Sequence, residues 1–440
     1  MVFSIPAHPF VERISVNIVK RLVSRFYSKV KKTGSDQRFK ENLTAESKQG
    51  TALYSSAEGN LGNSKKVDSE SSILFQCNEF VVERIAPLDM GFTRFIFDSR
   101  SGACPYQGLF LYAQKRKELL FSEDGAETWI LLSPLGELLS GAQHLARFYA
   151  GSNCFVIQTK APVETIVLDM DFRVLSREPL NGYQWHGTQG VGESNLGVLM
   201  FSEYQSVDEC EGGKVCVWRL CPPYTGNWQC VMAKTFGRYP EGEVRHFHTC
   251  ISDPFYESRW YLSSGDFYEH VKIWLSDDDG ENWSQLDLAL IPGGLLGESF
   301  KAVSSLARYT SASVSKDRLL WPTDDSLGIG CSAIVSVKID GATALLEVVE
   351  LLGTNLLRNI VRLPTGYFVI SESKDDIRVV DVYMLDECGR VMVKYALPNI
   401  TGKNSSVTDS MGSTDAKDGR FYFPNTGALS LCKGGLLGSH

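Results

Sequence analysis

The sequence predicts an all-β fold assembled from repeated units of roughly 50 residues, and three observations carry that expectation. Two polar turns share the pattern Ser-x-Asp-x-x-x-x-Trp, with Ser122, Asp124 and Trp129 in one and Ser276, Asp278 and Trp283 in the other, each flanked by strand-like apolar runs. Trp129, Trp228 and Trp283 are separated by 99 and 55 residues, which suits two units and one unit of a four-stranded repeat. From about Ile73 onward, short apolar runs alternate with turn residues, and helical periodicity is nearly absent.

The turns have a mechanism. The Asp carboxylate accepts hydrogen bonds from amides of its own hairpin, Gly280 permits a positive φ, and the Trp packs the turn down. The pattern resembles the Asp-box repeat (BNR repeat) of sialidase-like β-propellers. Asp278, Gly280 and Trp283 are in register with that motif, whereas Gly125 comes one place early and Ala126 stands where Gly is usual. The resemblance implies a propeller and places these turns away from its functional face. Counting from this phase puts the innermost strands of successive blades near Phe92, His144, His186, Arg245, Ser299, Leu356 and Val407. The result is a seven-bladed β-propeller, with the six-bladed sialidase fold as the alternative. The seventh blade is one strand short, and the run from Glu79 to Ile85 would supply it from the N-terminal side, removing an open sheet edge.

The chain has 440 residues, 43% hydrophobic and 22% charged, enough for one large core at 73–440. Its net charge of −8 argues against a nucleic-acid partner. There is no run of about 18 apolar residues, and Pro6, His8, Glu12 and Arg13 interrupt any leader-like segment, so a cytoplasmic location is expected. Within 1–32, Val11, Ile14, Ile18, Leu22, Phe26 and Val30 recur at helical spacing among Arg and Lys, which predicts a basic amphipathic helix. Such a helix lies on an anionic membrane surface, docks on a protein partner or covers part of the propeller. Residues 33–72 are polar and aperiodic and read as a disordered linker. The eleven cysteines contain no C-x-x-C, and Cys216 and Cys230 lie in strand-like runs, so buried free thiols are expected rather than a zinc site.

Propeller geometry brings the starts of innermost strands and the ends of second strands to one face. His144, His186, Arg245, His246, His248 and Lys301 fall in the first group; Glu203, Tyr204, Asp266, Asp324 and Glu372 fall in the second. His246 and His248 point to the same side of a strand, so they could share a metal ion or act as a base with its orienting partner. The expected catalytic residues are His186, Glu203, His246, His248, Asp266 and Asp324. Trp185, Tyr204, Arg245, Lys301 and Glu372 are expected to bind substrate. No cofactor is required, although a divalent metal ion on His186, His246 and His248 would suit lyase chemistry.

The order Trp185-His186-Gly187, Glu203-Tyr204, Arg245-His246-x-His248, Gly265-Asp266 and Thr323-Asp324 is similar to that of Asp-box propellers associated with bacterial polysaccharides. It implies a glycan or glycoconjugate ligand. A glycoside hydrolase would use two carboxylates, such as Glu203 with Asp266 or Asp324. A polysaccharide lyase would use Arg245 on a substrate carboxylate and a histidine or tyrosine as base. True sialidase activity is disfavoured because Arg84-Ile85-Ala86-Pro87 is a broken form of that family's arginine motif and histidines are foreign to its site. The competing expectation is a non-catalytic scaffold for protein partners in polysaccharide assembly.

Overall fold

The computed structural model describes strands at 67–68, 72–76, 80–84, 93–96, 109–113, 118–122, 128–134 and 144–149, and the stretches 153–159, 162–185, 189–205, 213–237, 242–291, 300–324, 332–353, 356–363, 366–372, 379–398, 420–423 and 427–431. The chain divides into units 1–63 and 64–440, and everything described belongs to the second. The helix predicted for 1–32 lies outside the described residues, as does nearly all of the expected linker.

Strands dominate, as the alternation of apolar runs and turn residues requires, and they pair into seven sheets among the described residues. The first contains Thr93–Ile96, Leu109–Ala113, Glu118–Ser122 and Thr128–Pro134. Val67–Asp68 pairs onto its Thr128–Pro134 edge, so sheet-forming chain starts before the Ile73 boundary expected from composition. The second contains His144–Tyr149, Cys154–Thr159, Thr165–Leu168 and Val174–Glu178. Val191–Glu193, Leu199–Tyr204, Lys214–Leu220 and Gln229–Thr235 build the third, with Gln184–Trp185 also paired to Leu199–Tyr204. The fourth runs Phe247–Ser252, Trp260–Ser264, Lys272–Ser276 and Ser284–Gln285.

The fifth sheet runs Ser313–Val314, Leu319–Pro322, Ser332–Asp340 and Thr343–Gly353, and Asp287–Leu290 joins its far edge in parallel. Leu356–Leu363, Gly366–Glu372, Val379–Leu385 and Val391–Pro398 form the sixth. In the last sheet Phe80–Arg84 pairs with Gly427–Leu431, flanked by Ser72–Gln76 and Arg420–Phe423. The strand expected near Val407 lies outside the described residues.

One expected strand is a helix. Near Ser299, where the fifth blade was to begin, the chain forms the helix Phe300–Ala307. Its apolar residues Phe300, Val303, Leu306 and Ala307 share one face of a 3.6-residue period, and Val303, Leu306 and Ala307 are buried. The Trp321 indole N–H donates to the Leu306 carbonyl at 2.8 Å, satisfying an acceptor in the last turn. The first edge strand of that sheet follows at Ser313–Val314.

The core lies between consecutive sheets, and strand alternation divides it. Leu199 and Phe201 pack toward the second sheet with Cys154, Val156 and Val167, while Val198 and Met200 pack toward the fourth with Phe247, Cys250, Trp260 and Leu262. In the fourth sheet Ile251, Tyr261, Ile273 and Leu275 turn the other way, against Leu306, Trp321 and Val335. Leu320 and Ile334 then meet Ile360, Val369 and Tyr383 of the sixth. Strands in the middle of their sheets are buried on both faces, as in Thr165–Leu168 and Trp260–Ser264, whereas Gln229–Thr235 on a sheet edge has only exposed and half-buried residues. This corrects the expectation for Cys230, which is exposed on that edge, although Cys154, Cys216 and Cys250 are buried free thiols.

The polar turn at 276–283 forms the bonds its sequence calls for. Asp278 Oδ1 accepts from the Ser276 hydroxyl at 2.7 Å and the Asn282 amide at 2.9 Å, and the Gly280 amide donates to Ser276 Oγ at 2.9 Å. Gly280 has φ +84, and the Trp283 indole donates to the Gly280 carbonyl at 3.0 Å. The corresponding turn residues 123–127 lie outside the described residues, but Trp129 is completely buried.

Candidate functional site

Pairing within the fourth sheet sets Phe247 opposite Ser264 and Trp260 opposite Ser276. The start of Phe247–Ser252 and the end of Trp260–Ser264 therefore share one end of the sheet, and the 276–283 turn occupies the other. At the first end lie Arg245, His246, His248, Gly265 and Asp266. The register shifts between Phe247 and Thr249, a bulge that re-aims His248.

The two imidazoles meet there, with His246 Nε2 and His248 Nε2 3.1 Å apart. His246 Nδ1 lies 2.6 Å from the Gln205 carbonyl and His248 Nδ1 lies 3.0 Å from the Tyr309 carbonyl. Carbonyl oxygens only accept, so each Nδ1 carries a proton and donates. Asp266 closes the group, its carboxylate 3.2 Å from His246 Nε2 and 3.5 Å from His248 Nε2. Its φ of +88 is strained for a residue with a side chain, and such strain concentrates where geometry must be held. The Tyr204 ring lies over His246 with centroids 4.0 Å apart.

Two guanidiniums hold Asp266 from the outside. Arg245 donates to Oδ2 at 2.8 Å and Arg308 to Oδ1 at 3.0 Å. Arg308 also lies 3.5 Å from the Asp324 carboxylate, and the Asp324 amide donates to its carbonyl. The face of Phe267, an exposed residue, lies 5.3 Å from the Arg245 guanidinium. Burial opposes charge on Asp266, yet His246 and His248, when protonated at Nε2 as well as Nδ1, donate to it and outweigh burial, holding the carboxyl well below its usual range. Burial pushes the His246 imidazole down.

Gly265 is required by this packing. A Cβ there would come 2.9 Å from His248 Nδ1. Gly265→Ala is therefore expected to displace the ring from the Tyr309 carbonyl and lower stability by about 1–3 kcal/mol. Urea unfolding measures this, and an unchanged midpoint would refute the close contact.

The structure thus brings together five residues anticipated from sequence: Tyr204, Arg245, His246, His248 and Asp266, with Asp324 reached through Arg308. Glu203 is not among them. It alternates with Tyr204 along its strand, and its carboxylate accepts from the Cys216 amide at 2.6 Å, the Trp218 indole at 2.8 Å and Asn181 at 3.2 Å. Trp185 is a core residue against Phe201, 2% exposed, and cannot stack on a ligand. Lys301 lies in the helix rather than at the start of a strand, and Glu372 ends a strand of the sixth sheet. His186 lies outside the described residues.

Two residues went unnoticed. Arg308 falls in a segment for which the sequence predicts strand, and Phe267 follows directly after Asp266, a position that points to it.

No known protein family and no curated protein sequence matches this chain. Among solved structures it is similar to streptogramin B lyase, with 10% identity over 80% of this chain and 98% of that one and a TM-score of 0.49. It is also similar to PorZ, a surface component of the type-IX secretion system of Porphyromonas gingivalis, with 12% identity, 81% of this chain, 45% of that one and a TM-score of 0.43. TolB from Acinetobacter baumannii gives 11% identity, 72% and 66% coverage and a TM-score of 0.40.

Proposed function

We propose that the second unit is a seven-bladed β-propeller of the Asp-box type, closed by the pairing of Phe80–Arg84 with Gly427–Leu431, and that the Arg245/Asp266 cluster handles a carbohydrate. Support for the propeller comes from sheets built mainly of sequential antiparallel strands, with one core shared by each consecutive pair from the second to the sixth.

The observation that carries the functional reading is the fixed series Arg245, Asp266, Arg308, in which two donors flank one acceptor at one end of the sheets, with buried Asp324 beside Arg308. Sugar hydroxyls both donate and accept, so a rigid alternation of this kind suits vicinal hydroxyls at little ordering cost. Phe267 and Tyr204 add ring faces for the apolar side of a pyranose. The two-carboxylate hydrolase is the weaker form of this reading, because Glu203 is occupied elsewhere and Asp324 is only 4% exposed. Binding, or lyase chemistry with arginine on a substrate carboxylate, fits better.

Screening purified protein on a glycan array tests the reading. Wild type is expected to retain a defined glycan class, and Arg245→Ala or Arg308→Ala, each checked by thermal melting, to lose about tenfold or more in affinity, the equivalent of one charge-assisted hydrogen bond. Retention of no glycan, or equal binding by folded variants, overturns it.

A further inference from the structure

We propose that His246, His248 and Asp266 bind one divalent first-row transition-metal ion through the two Nε2 atoms and the carboxylate. These three are a group of potential ligand atoms within 4.8 Å of one another. The inference stands apart from the carbohydrate reading, since it concerns only what the three side chains demand of one another.

The demand follows from the tautomers. Both Nδ1 atoms donate to backbone carbonyls, at 2.6 Å for His246 and 3.0 Å for His248. In its neutral form each imidazole then turns a lone pair outward from Nε2, and these lone pairs meet at 3.1 Å with the Asp266 carboxylate 3.2 and 3.5 Å away. Three acceptors so placed repel unless a positive species lies among them. A proton can join two of them; a metal ion serves all three at once. Imidazole whose other nitrogen donates to a carbonyl is also the usual supporting arrangement for metal-bound histidine, because it fixes tautomer and ring orientation.

The spacing agrees. Two ligand atoms each about 2.1 Å from a metal lie about 3.0 Å apart at a right angle and about 3.4 Å apart at the tetrahedral angle. The observed separations lie close to that range: 3.1 Å between the two Nε2 atoms, 3.2 Å from His246 Nε2 to Asp266 Oδ2 and 3.5 Å from His248 Nε2 to Asp266 Oδ1, so the carboxylate faces the pair with both oxygens. Two imidazoles and one carboxylate on one side of an ion leave the opposite positions for water or a ligand, and this donor set suits zinc, manganese or iron(II) rather than calcium or magnesium. The arginines do not fill the carboxylate. Arg245 takes one lone pair on Oδ2 and Arg308 one on Oδ1, and a carboxylate has about four acceptor positions. Asp324 beside Arg308 offsets part of the added positive charge. The metal set anticipated from sequence was His186, His246 and His248; the structure assigns the third position to Asp266.

The test uses the full-length protein, stripped with EDTA, dialysed and titrated separately with Mn²⁺, Zn²⁺ and Co²⁺ in the absence of any glycan. Calorimetry and elemental analysis are expected to give one tight ion per chain that Asp266→Asn and His248→Gln lack. For these variants affinity at that site should fall by more than about 100-fold, beyond the loss typical of an outer supporting partner. Co²⁺ should give visible absorption bands in the wild type that both variants lose. Cys216→Ser/Cys230→Ser removes a thiol pair that could bind metal elsewhere and is expected to keep the ion. Equal stoichiometry in wild type and both folded variants, or loss of the ion in the thiol variant alone, overturns the proposal. Repeating the glycan screen in EDTA separates the two ideas, because glycan binding can survive there while metal binding is scored independently.

Discussion

Trp260→Ala is expected to lower stability by about 3–5 kcal/mol, the range for truncating a large aromatic side chain in a core that cannot collapse around the gap. Trp260 is completely buried between the third and fourth sheets, and its indole N–H donates to Asp279 Oδ1 at 2.7 Å. The neighbouring backbone is already close: a Cβ on Gly192 would stand 3.1 Å from the Trp260 ring and 2.9 Å from the Cys250 carbonyl. Asp279, within the polar turn, also accepts from Arg219 of the third sheet through its carbonyl at 2.9 Å. The substitution therefore opens a cavity and removes the indole donor from a buried carboxylate. Urea unfolding of wild type, Trp260→Ala and Asp279→Ala measures both parts. Asp279→Ala alone should cost about 1–3 kcal/mol. A loss below about 1 kcal/mol for Trp260→Ala would mean that the two sheets do not depend on this contact.

The second large effect is a pH dependence centred on Glu203. Burial raises its carboxyl from 4.5 to about 7, and hydrogen bonds from Trp218, Cys216 and Asn181 oppose that rise without cancelling it. The folded protein thus binds this proton more tightly than the unfolded chain. The associated stability is complete below about pH 4.5 and is lost as pH rises through about 7. At about 1.4 kcal/mol per pH unit, the loss is on the order of 3 kcal/mol. Glu203→Gln is neutral at every pH. Its amide will face a donor and carry a constant penalty, so the informative quantity is the difference between the two proteins at pH 5 and pH 8. That difference should move in favour of the Gln protein by on the order of 3 kcal/mol. Parallel urea midpoints at the two pH values would show that Glu203 stays ionised throughout.

Much of the architecture was legible because it rests on local rules. The Ser276 to Trp283 turn satisfies its own backbone, and the tryptophan spacing set the phase that places strands starting at Thr93, His144 and Leu356. The His-x-His pair was legible in part, since alternation suggests that His246 and His248 share a side, although the register shift at His248 also sets how the two rings meet. Glu203 shows where that reasoning stops. Being next to Tyr204 in sequence puts it on the opposite side of the strand, where the Trp218 indole and the Cys216 amide take its charge. Trp185 was misread because a buried aromatic and a ligand platform look alike until Phe201 and Trp228 are seen around it. Arg308 was missed because it directly follows an eight-residue helix, too short for its period to be told from strand.

The parallel pairing of Asp287–Leu290 with Thr343–Gly353 bears on how the chain acquires its structure. The segment leaving the fourth sheet completes the edge of the fifth, across an interval in which the helix and three more strands must already be placed. The fourth sheet pairs within itself, but the fifth lacks this edge partner until the segment leaving the fourth is in place. Opening of the fifth sheet at this edge is thereby tied to the segment that leaves the fourth, and the Arg308–Asp266 bond adds a second tie between the two.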